Sequence, residues 1–138
     1  IVSTVPDMFR FAEMYRRGGE LDGARLLSPA MIDLATRNHT GDKWNELYYR
    51  RGLEKGLEAV PAYIGLGFTM RGERLIHHMF GTLASPRSFG NYGAGTTLFW
   101  VDPVRDITFT ALTAGVMEHN ANCDRFQRWA DLILASAV

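Results

Sequence analysis

The sequence has 138 residues, of which 46% are hydrophobic and 22% are charged, and its formal net charge is zero. This size and composition are typical of one globular domain with a real core. The balanced charge argues against binding nucleic acid or an anionic membrane surface, because both depend on an excess of lysine and arginine. We therefore expect neither nucleic acid nor membrane as a partner.

The chain opens with a predicted helix. Ser3 or Thr4 can cap it, and Pro6 and Asp7 suit its first turn. Residues 18–19, both glycine, end it, since glycine tolerates the left-handed conformation found after helices. Its predicted apolar face consists of Met8, Phe11, Ala12 and Tyr15.

A second helix is predicted after a turn at Asp22 and Gly23. Ser28 and Pro29 supply its cap and its first position. The stretch 38–61 is polar and weakly periodic, and it predicts a surface excursion. The predicted apolar stripe of the second helix consists of Met31, Leu34 and Ala35.

From residue 62 the pattern favours strands. Residues 62–70 read as a strand weakened by two glycines, and residues 75–81 as a second short strand. Residues 96–102 and 107–113 are the clearest strands, because they are rich in β-branched and aromatic residues. The short connector between these two strands predicts that they are antiparallel neighbours.

An amphipathic helix closes the chain, from about residue 120 to residue 137. Cys123 lies in it and is predicted to be a buried structural thiol. The order helices, strands, helix predicts an α+β fold: an antiparallel β-sheet of about three to four strands with the C-terminal helix and the N-terminal helices packed on it. We expect residues 1–138 to form a single domain.

The glycine-rich stretch 88–103, SFGNYGAGTTLFWVDP, is the most distinctive feature. A dinucleotide loop needs G-x-G-x-x-G before a helix, whereas this stretch has G-x-x-G-x-G before a strand. The Gly-Lys-Ser/Thr of a Walker loop is also missing from it. Phosphate binding is therefore disfavoured, and the glycines indicate a bulge or a close backbone approach.

Other candidate chemistry is weak. His77, His78 and His119 could ligate a metal together with Glu118, but adjacent residues of a strand point to opposite faces. We therefore expect satisfied or solvated histidines and no metal or other cofactor. The sequence contains no G-x-S-x-G, S-x-x-K or Tyr-x-Asn, so no nucleophile and base can be paired from it.

Three segments together resemble the serine β-lactamase-related family, which includes class C-type β-lactamases, D-alanyl-D-alanine peptidases and esterases with the penicillin-binding fold. Residues 3–36 resemble the family's S-T-x-x-D-x-x-R-F…G-G-x-L-x-G-x-R-L-L-S-P segment, and residues 63–68, YIGLGF, resemble its G-x-G-F strand. Residues 89–103 resemble the strand that carries its third active-site motif. The resemblance covers residues 2–37 and 62–138, including the terminal helix.

The family's third motif reads K-T-G, H-x-G or W-G-G, and the resemblance places Asn91, Tyr92 and Gly93 there. It implies that the backbone N–H of Ala94 donates to an oxyanion, while Asn91 and Tyr92 contact substrate beside Gly93. Asn91 departs from the motif, because an amide offers only neutral hydrogen bonds. A neutral ester or amide substrate then fits at least as well as a β-lactam. The alternative is that Asn91 only supports a turn or bulge.

The resemblance implies that the chain is the C-terminal part of a serine hydrolase that cleaves an ester, amide or lactam through an acyl-serine. The family's S-x-x-K and Tyr-x-Asn would lie before Ile1, so we expect this chain alone to be inactive and to associate with a missing N-terminal catalytic portion. The alternative is a non-catalytic remnant or binding module. Open strand edges lead us to expect a homo-oligomer.

Overall fold

The computed structural model describes residues 2–56, 61–74, 76–94 and 96–137, without the side chains of residues 47, 48 and 51. The helices within these residues are α1 Val5–Arg16, α2 Pro29–Ala35, α3 Glu46–Glu54 and α4 His119–Ser136. The strands are β1 Glu20–Leu21, β2 Ala24–Arg25, β3 Thr69–Met70, β4 Phe89–Gly93, β5 Thr97–Asp102 and β6 Ile107–Leu112.

The main sheet has four antiparallel strands in the order β3-β4-β5-β6, so sequence neighbours are also spatial neighbours. A separate hairpin pairs β1 with β2 across the turn at Asp22 and Gly23. This arrangement confirms the predicted α+β class and the antiparallel pairing of the two clearest strands. Within the part of the chain that the structure describes, no helix is long and apolar enough to cross a bilayer.

Each face of the sheet carries its own core, because side chains alternate along a strand. On one face, strand residues such as Phe99 and Val101 pack against Ala12 of α1. On the other face, Leu98 and Trp100 pack against α4. The residues that α4 buries there are Cys123, Phe126, Ala130 and Leu134.

The N-terminal helices begin at the predicted caps. The side chain of Thr4 accepts a hydrogen bond from the N–H of Asp7 at 3.3 Å, and that of Ser28 accepts one from Met31 at 3.2 Å. The predicted stripe of α2 is wrong in one residue. Met31 is exposed and Ile32 is buried instead, because this short helix packs the face that carries Ile32 and Ala35, one turn apart.

Two strand predictions between residues 62 and 81 are wrong in extent. Only Thr69–Met70 of the first is a strand, because left-handed backbone at Tyr63 (φ 45°) and Gly67 (φ 81°) bends the chain before it. Residues 76–81 contain no strand, and Leu75 lies outside the described residues. The buried guanidinium of Arg71 binds the carbonyl oxygens of Gly81 and Thr82, which are therefore not available for a strand ladder.

The stretch 38–61 is largely exposed in its described part, as predicted, although it also contains the helix α3. Residues 57–60 of this stretch lie outside the described residues. The helix was not recognised because three of its four apolar or aromatic residues are consecutive, at 47–49, and because Gly52 lowers its helix propensity.

Candidate functional site

The glycine-rich stretch forms a hairpin. β4 pairs with β5 from Phe89 opposite Val101 to Gly93 opposite Thr97. The turn contains the buried Thr96, whose left-handed backbone (φ 66°) is fixed by hydrogen bonds from its hydroxyl to the carbonyl oxygens of Thr113 and Gly115. Gly95 lies outside the described residues. The stretch is thus strand, turn, strand, and a helix does not follow it as a dinucleotide loop would require.

Asn91 lies on the face of β4 that packs towards α1, opposite Phe99 of β5. Its amide nitrogen donates to the carbonyl oxygen of Gly67 at 3.0 Å, and its amide oxygen accepts from the N–H of Tyr92 at 2.8 Å. The nitrogen of the amide therefore holds the edge of β4 to the loop before β3, and its oxygen binds within β4. Sequence reasoning did not identify the carbonyl of Gly67 as a partner of Asn91. The two glycines of YIGLGF were the only feature of the sequence that pointed to an irregular backbone there.

The edge of β4 on the β3 side is where the predicted oxyanion donor would act. The carbonyl of Ser88 accepts from the N–H of Arg71 at 2.8 Å, so residue 88 directs its backbone polar groups towards β3. Because these groups alternate along a strand, those of Gly90 and Tyr92 point the same way. Continuing the alternation, the N–H of Ala94 would face this edge, beyond the end of β3. Ala94 is exposed there.

Two glycines of β4 allow close packing, each against a different neighbour. A side chain at Gly90 would meet the carbonyl oxygen of Phe99 at 2.1 Å and the Cα of Trp100 at 2.7 Å. A side chain at Gly93 would meet only the hydroxyl of Thr97, at 2.6 Å. Gly90 therefore permits β5 to lie close to β4. A Cβ at Gly93, near the hairpin turn, would contact only the rotatable side chain of Thr97.

Tyr92 points to the opposite face from Asn91. Its half-buried ring packs beside the α4-side core, with its centroid 5.8 Å from that of His119 at the start of α4. A ligand lying on the α1 face would contact Asn91 and Gly93 and would not touch the Tyr92 ring. The predicted contact between Tyr92 and substrate therefore requires a ligand that reaches the other face or uses the Tyr92 backbone.

The histidines do not converge. Within the described ranges, no group of three or more histidine, cysteine or acidic side chains could hold a metal ion. Cys123 is buried, with its sulfur 3.8 Å from His119 Nε2. Glu118 caps α4 by accepting from the N–H groups of Asn120 and Ala121, and these two bonds lower the pKa of its carboxyl.

A cavity of about 450 Å³ lies at the other end of β4, where the strand begins. Its walls include Phe89, Met70 and residues of α1, α2 and the loop 86–87, but none of residues 91 to 94. The cavity is therefore separate from the motif. The motif itself lies on an open strand edge, which offers backbone donors and an amide but no described nucleophile.

No protein-family model matches the sequence, and no curated protein matches it significantly. Solved structures do match. A β-lactamase from Mycobacterium bovis aligns with 28% identity and a TM-score of 0.74 over 98% of this chain and 44% of its own. A penicillin-binding protein homolog from Caulobacter crescentus aligns with 20% identity and a TM-score of 0.70 over 97% of this chain and 32% of its own.

The chain thus spans less than half the length of either solved structure. The alignment runs through nearly all of its elements, including the hairpin of β4 and β5 and the closing helix α4. The chain has a β-lactamase-like and penicillin-binding-protein-like fold.

Proposed function

We propose that this chain forms the sheet side of the catalytic cleft of a serine hydrolase that cleaves an ester, amide or lactam through an acyl-serine. The serine hydroxyl and the lysine that activates it would come from a further portion of a longer protein. The serine oxygen would attack the substrate carbonyl, the amine or alcohol would leave, and water would then release the acyl group.

The observation that supports this proposal most is the open edge at the end of β4. Charge develops on the carbonyl oxygen during attack, and a fixed backbone N–H stabilises it there without reorganisation. Ala94 is exposed just after the motif strand, and alternation directs its N–H to the β3 side. The similarity to a β-lactamase at 28% identity favours acyl transfer over other chemistries for this edge.

The test compares two substitutions at Ala94 in the longest reading frame that contains this chain, with chromogenic ester and cephalosporin substrates. Ala94→Pro removes the backbone N–H, and we expect kcat to fall by about 100-fold or more. Ala94→Gly keeps the N–H and should retain most of the activity. Equal activity of the two variants would contradict the proposed donor.

The isolated 138-residue chain provides a second test. We expect it to show no turnover of either substrate, because S-x-x-K is absent from it. Measurable hydrolysis by the pure chain, unaffected by Ala94→Pro, would show that the chemistry belongs to other residues.

One observation favours the second candidate, a binding module without catalysis. Asn91 stands where the family motif has a cation, an imidazole or an indole, and both ends of its amide are engaged by Gly67 and Tyr92. If the chain is such a module, the full reading frame should lack S-x-x-K and should be inactive on both substrates. The presence of S-x-x-K in the full reading frame, together with turnover of either substrate, would exclude this candidate.

A further inference from the structure

Residues 44–56, which contain α3 and are called the α3 arm below, start at the outer side of β3. The carbonyl of Tyr63, in the loop before β3, accepts a hydrogen bond from the N–H of Met70 at 2.8 Å, so this loop lies along β3. Further out, Trp44 forms an antiparallel bridge with Pro61. The arm therefore leaves the sheet on the β3 side, which is also the side of the predicted oxyanion donor.

The tip of the arm, residues 54–56, is bound to the start of α4. The ammonium of Lys55 lies 2.7 Å from both carboxylate oxygens of Asp124. The amide of Asn120 donates to the carboxylate of Glu54 at 2.6 Å. These contacts join residues that are 69 and 66 positions apart. The arm thus extends from the outer side of β3 to the helix that covers the opposite face of the sheet.

The start of α4 lies at the motif end of β4. His119, which immediately precedes Asn120, has its ring centroid 5.8 Å from that of Tyr92. The hydroxyl of Thr96, in the turn after β4, donates to the carbonyl of Gly115 just before α4. The tip of the arm is therefore placed beside the face of the motif to which the Tyr92 ring points.

The two polar contacts set the position of the tip, because apolar packing contributes little there. Neither apolar core includes a described residue of the arm, and Leu53 is 62% exposed. The side chains of Lys55 and Asp124, by contrast, are only 30% and 32% exposed. A bidentate, charge-assisted contact that is partly shielded from water holds its partners more firmly than an exposed ion pair does. Loss of the Lys55 ammonium should therefore release the tip from α4.

We propose that the α3 arm is a size-limiting wall on the Tyr92 side of the motif, and that Lys55 is the residue that positions it. This rests on the proposed function. A substrate whose carbonyl is bound at the N–H of Ala94, and which extends towards Tyr92, would meet the tip of the arm. Glu54 and Lys55 contact α4 and are charged, so this side of the tip excludes a large apolar group instead of binding it.

Two pairs of esters test the wall in the longest reading frame that contains this chain. The octanoate and acetate esters of p-nitrophenol differ on the acyl side, and 1-naphthyl acetate and phenyl acetate differ in the leaving group. In at least one pair, we expect Lys55→Met to raise kcat/KM of the larger ester about fivefold relative to the smaller one, through a lower KM. A variant that merely lost stability would lower kcat of both esters equally and leave their ratio unchanged.

Three further variants separate the ion pair from general surface effects. Lys55→Arg keeps the positive charge and should retain the wild-type ratio. Asp124→Asn removes the ion pair from the α4 side, should shift the ratio in the same direction, and should add nothing to Lys55→Met in the double variant. Arg50→Met removes the ion pair of Arg50 with Glu46, which stays within α3 at 3.0 Å, and should change nothing. A shift as large in Arg50→Met as in Lys55→Met would overturn the proposal.

Hydrogen exchange of peptides from residues 44–56 reports the position of the arm independently of turnover. We expect faster exchange in Lys55→Met than in the wild type and in Arg50→Met, and equal exchange in all three would overturn the role of Lys55. Ester turnover by the wild type with unchanged ratios in Lys55→Met would overturn the wall and leave the proposed function intact. A wild type that hydrolyses none of the esters would overturn the wall, and its activity on cephalosporins would then decide the proposed function separately.

Discussion

Asn91 shows how one residue can belong to a candidate site and to the framework of the fold. Its position, just before Gly93 and Ala94 at the open end of β4, is that of a substrate-facing residue in the proposed cleft. Its amide nevertheless binds the carbonyl of Gly67 and the N–H of Tyr92. A ligand that used this amide would have to displace or share those bonds, so the structural role is measurable separately from activity.

Asn91→Asp isolates the bond to Gly67. A carboxylate cannot donate to the Gly67 carbonyl, whereas it can still accept from Tyr92, so we expect the free energy of unfolding to fall by about 1–2 kcal/mol in urea titrations. The matched control is Asn38→Asp, which removes a similar amide bond to the carbonyl of Gly41 in an exposed loop and should change stability by less than about 0.5 kcal/mol. Equal stability of the two variants would show that the Asn91 amide does not support the fold.

Gly90 and Gly93 should differ sharply in how well they tolerate substitution by alanine. Gly90→Ala forces a side chain against the backbone of β5 and should cost about 3 kcal/mol or more, or prevent folding. Gly93→Ala meets only the rotatable side chain of Thr97 and should cost about 1 kcal/mol or less. Thermal melting of both variants measures the contrast, and a more severe effect at Gly93 would contradict it.

At the scale of elements, one buried carboxylate links α1 to β6. Glu13 binds Arg16 and Arg17 of its own helix and the hydroxyl of Thr108 on β6. The hydrogen bond from Arg16 is the largest influence, burial opposes it, and the bonds from Arg17 and Thr108 add to it, so the pKa of Glu13 falls to about 2.

This low pKa predicts a pH dependence of stability. Because the native pKa is lower than the unfolded value, near 4.5, protons bind preferentially to the unfolded chain in acid. The contribution of Glu13 is complete above about pH 4.5 and is lost as the pH falls towards 2. We expect this loss to be on the order of 2 kcal/mol in urea titrations, after allowance for screening of the partly exposed arginines.

Glu13→Gln is the control for this dependence. It should be less stable than the wild type at pH 7 but should lose less stability between pH 4.5 and pH 2. The curves of unfolding free energy against pH for the two proteins should therefore converge in acid. Parallel curves would show that Glu13 does not carry the acid sensitivity.

At the scale of the whole molecule, two cores share one sheet. Leu98 and Val101 belong to the same strand, yet Leu98 packs towards α4 and Val101 towards α1. Loss of β5 would disrupt both cores, because the strand supplies side chains to each. The two layers should therefore behave as one cooperative unit.

Methyl resonances of Leu98 and Val101, followed through a urea titration, test this cooperativity. We expect one common midpoint. Phe126→Ala, which removes a fully buried ring on the α4 side, should lower both midpoints together and cost about 3–5 kcal/mol. Earlier loss of the Leu98 signal alone would show two separable units.

The sequence alone was sufficient for the elements that carry their own signals. Ser3 or Thr4 with Pro6, and Ser28 with Pro29, mark the starts of α1 and α2, and the β-branched runs mark β5 and β6, because caps and side-chain periodicity are local properties. The α+β class followed from the order of these elements. Asn91, Tyr92, Gly93 and Ala94 were singled out by resemblance to a motif.

Where local sequence signals conflict or are absent, only the tertiary structure determined the conformation. β3 is short because left-handed backbone at Tyr63 and Gly67 bends the chain before it, and the buried Arg71 takes up the carbonyl oxygens of Gly81 and Thr82 at the end of the irregular residues 76–81. The bond from Asn91 to Gly67 joins residues 24 positions apart, so no local pattern could reveal it.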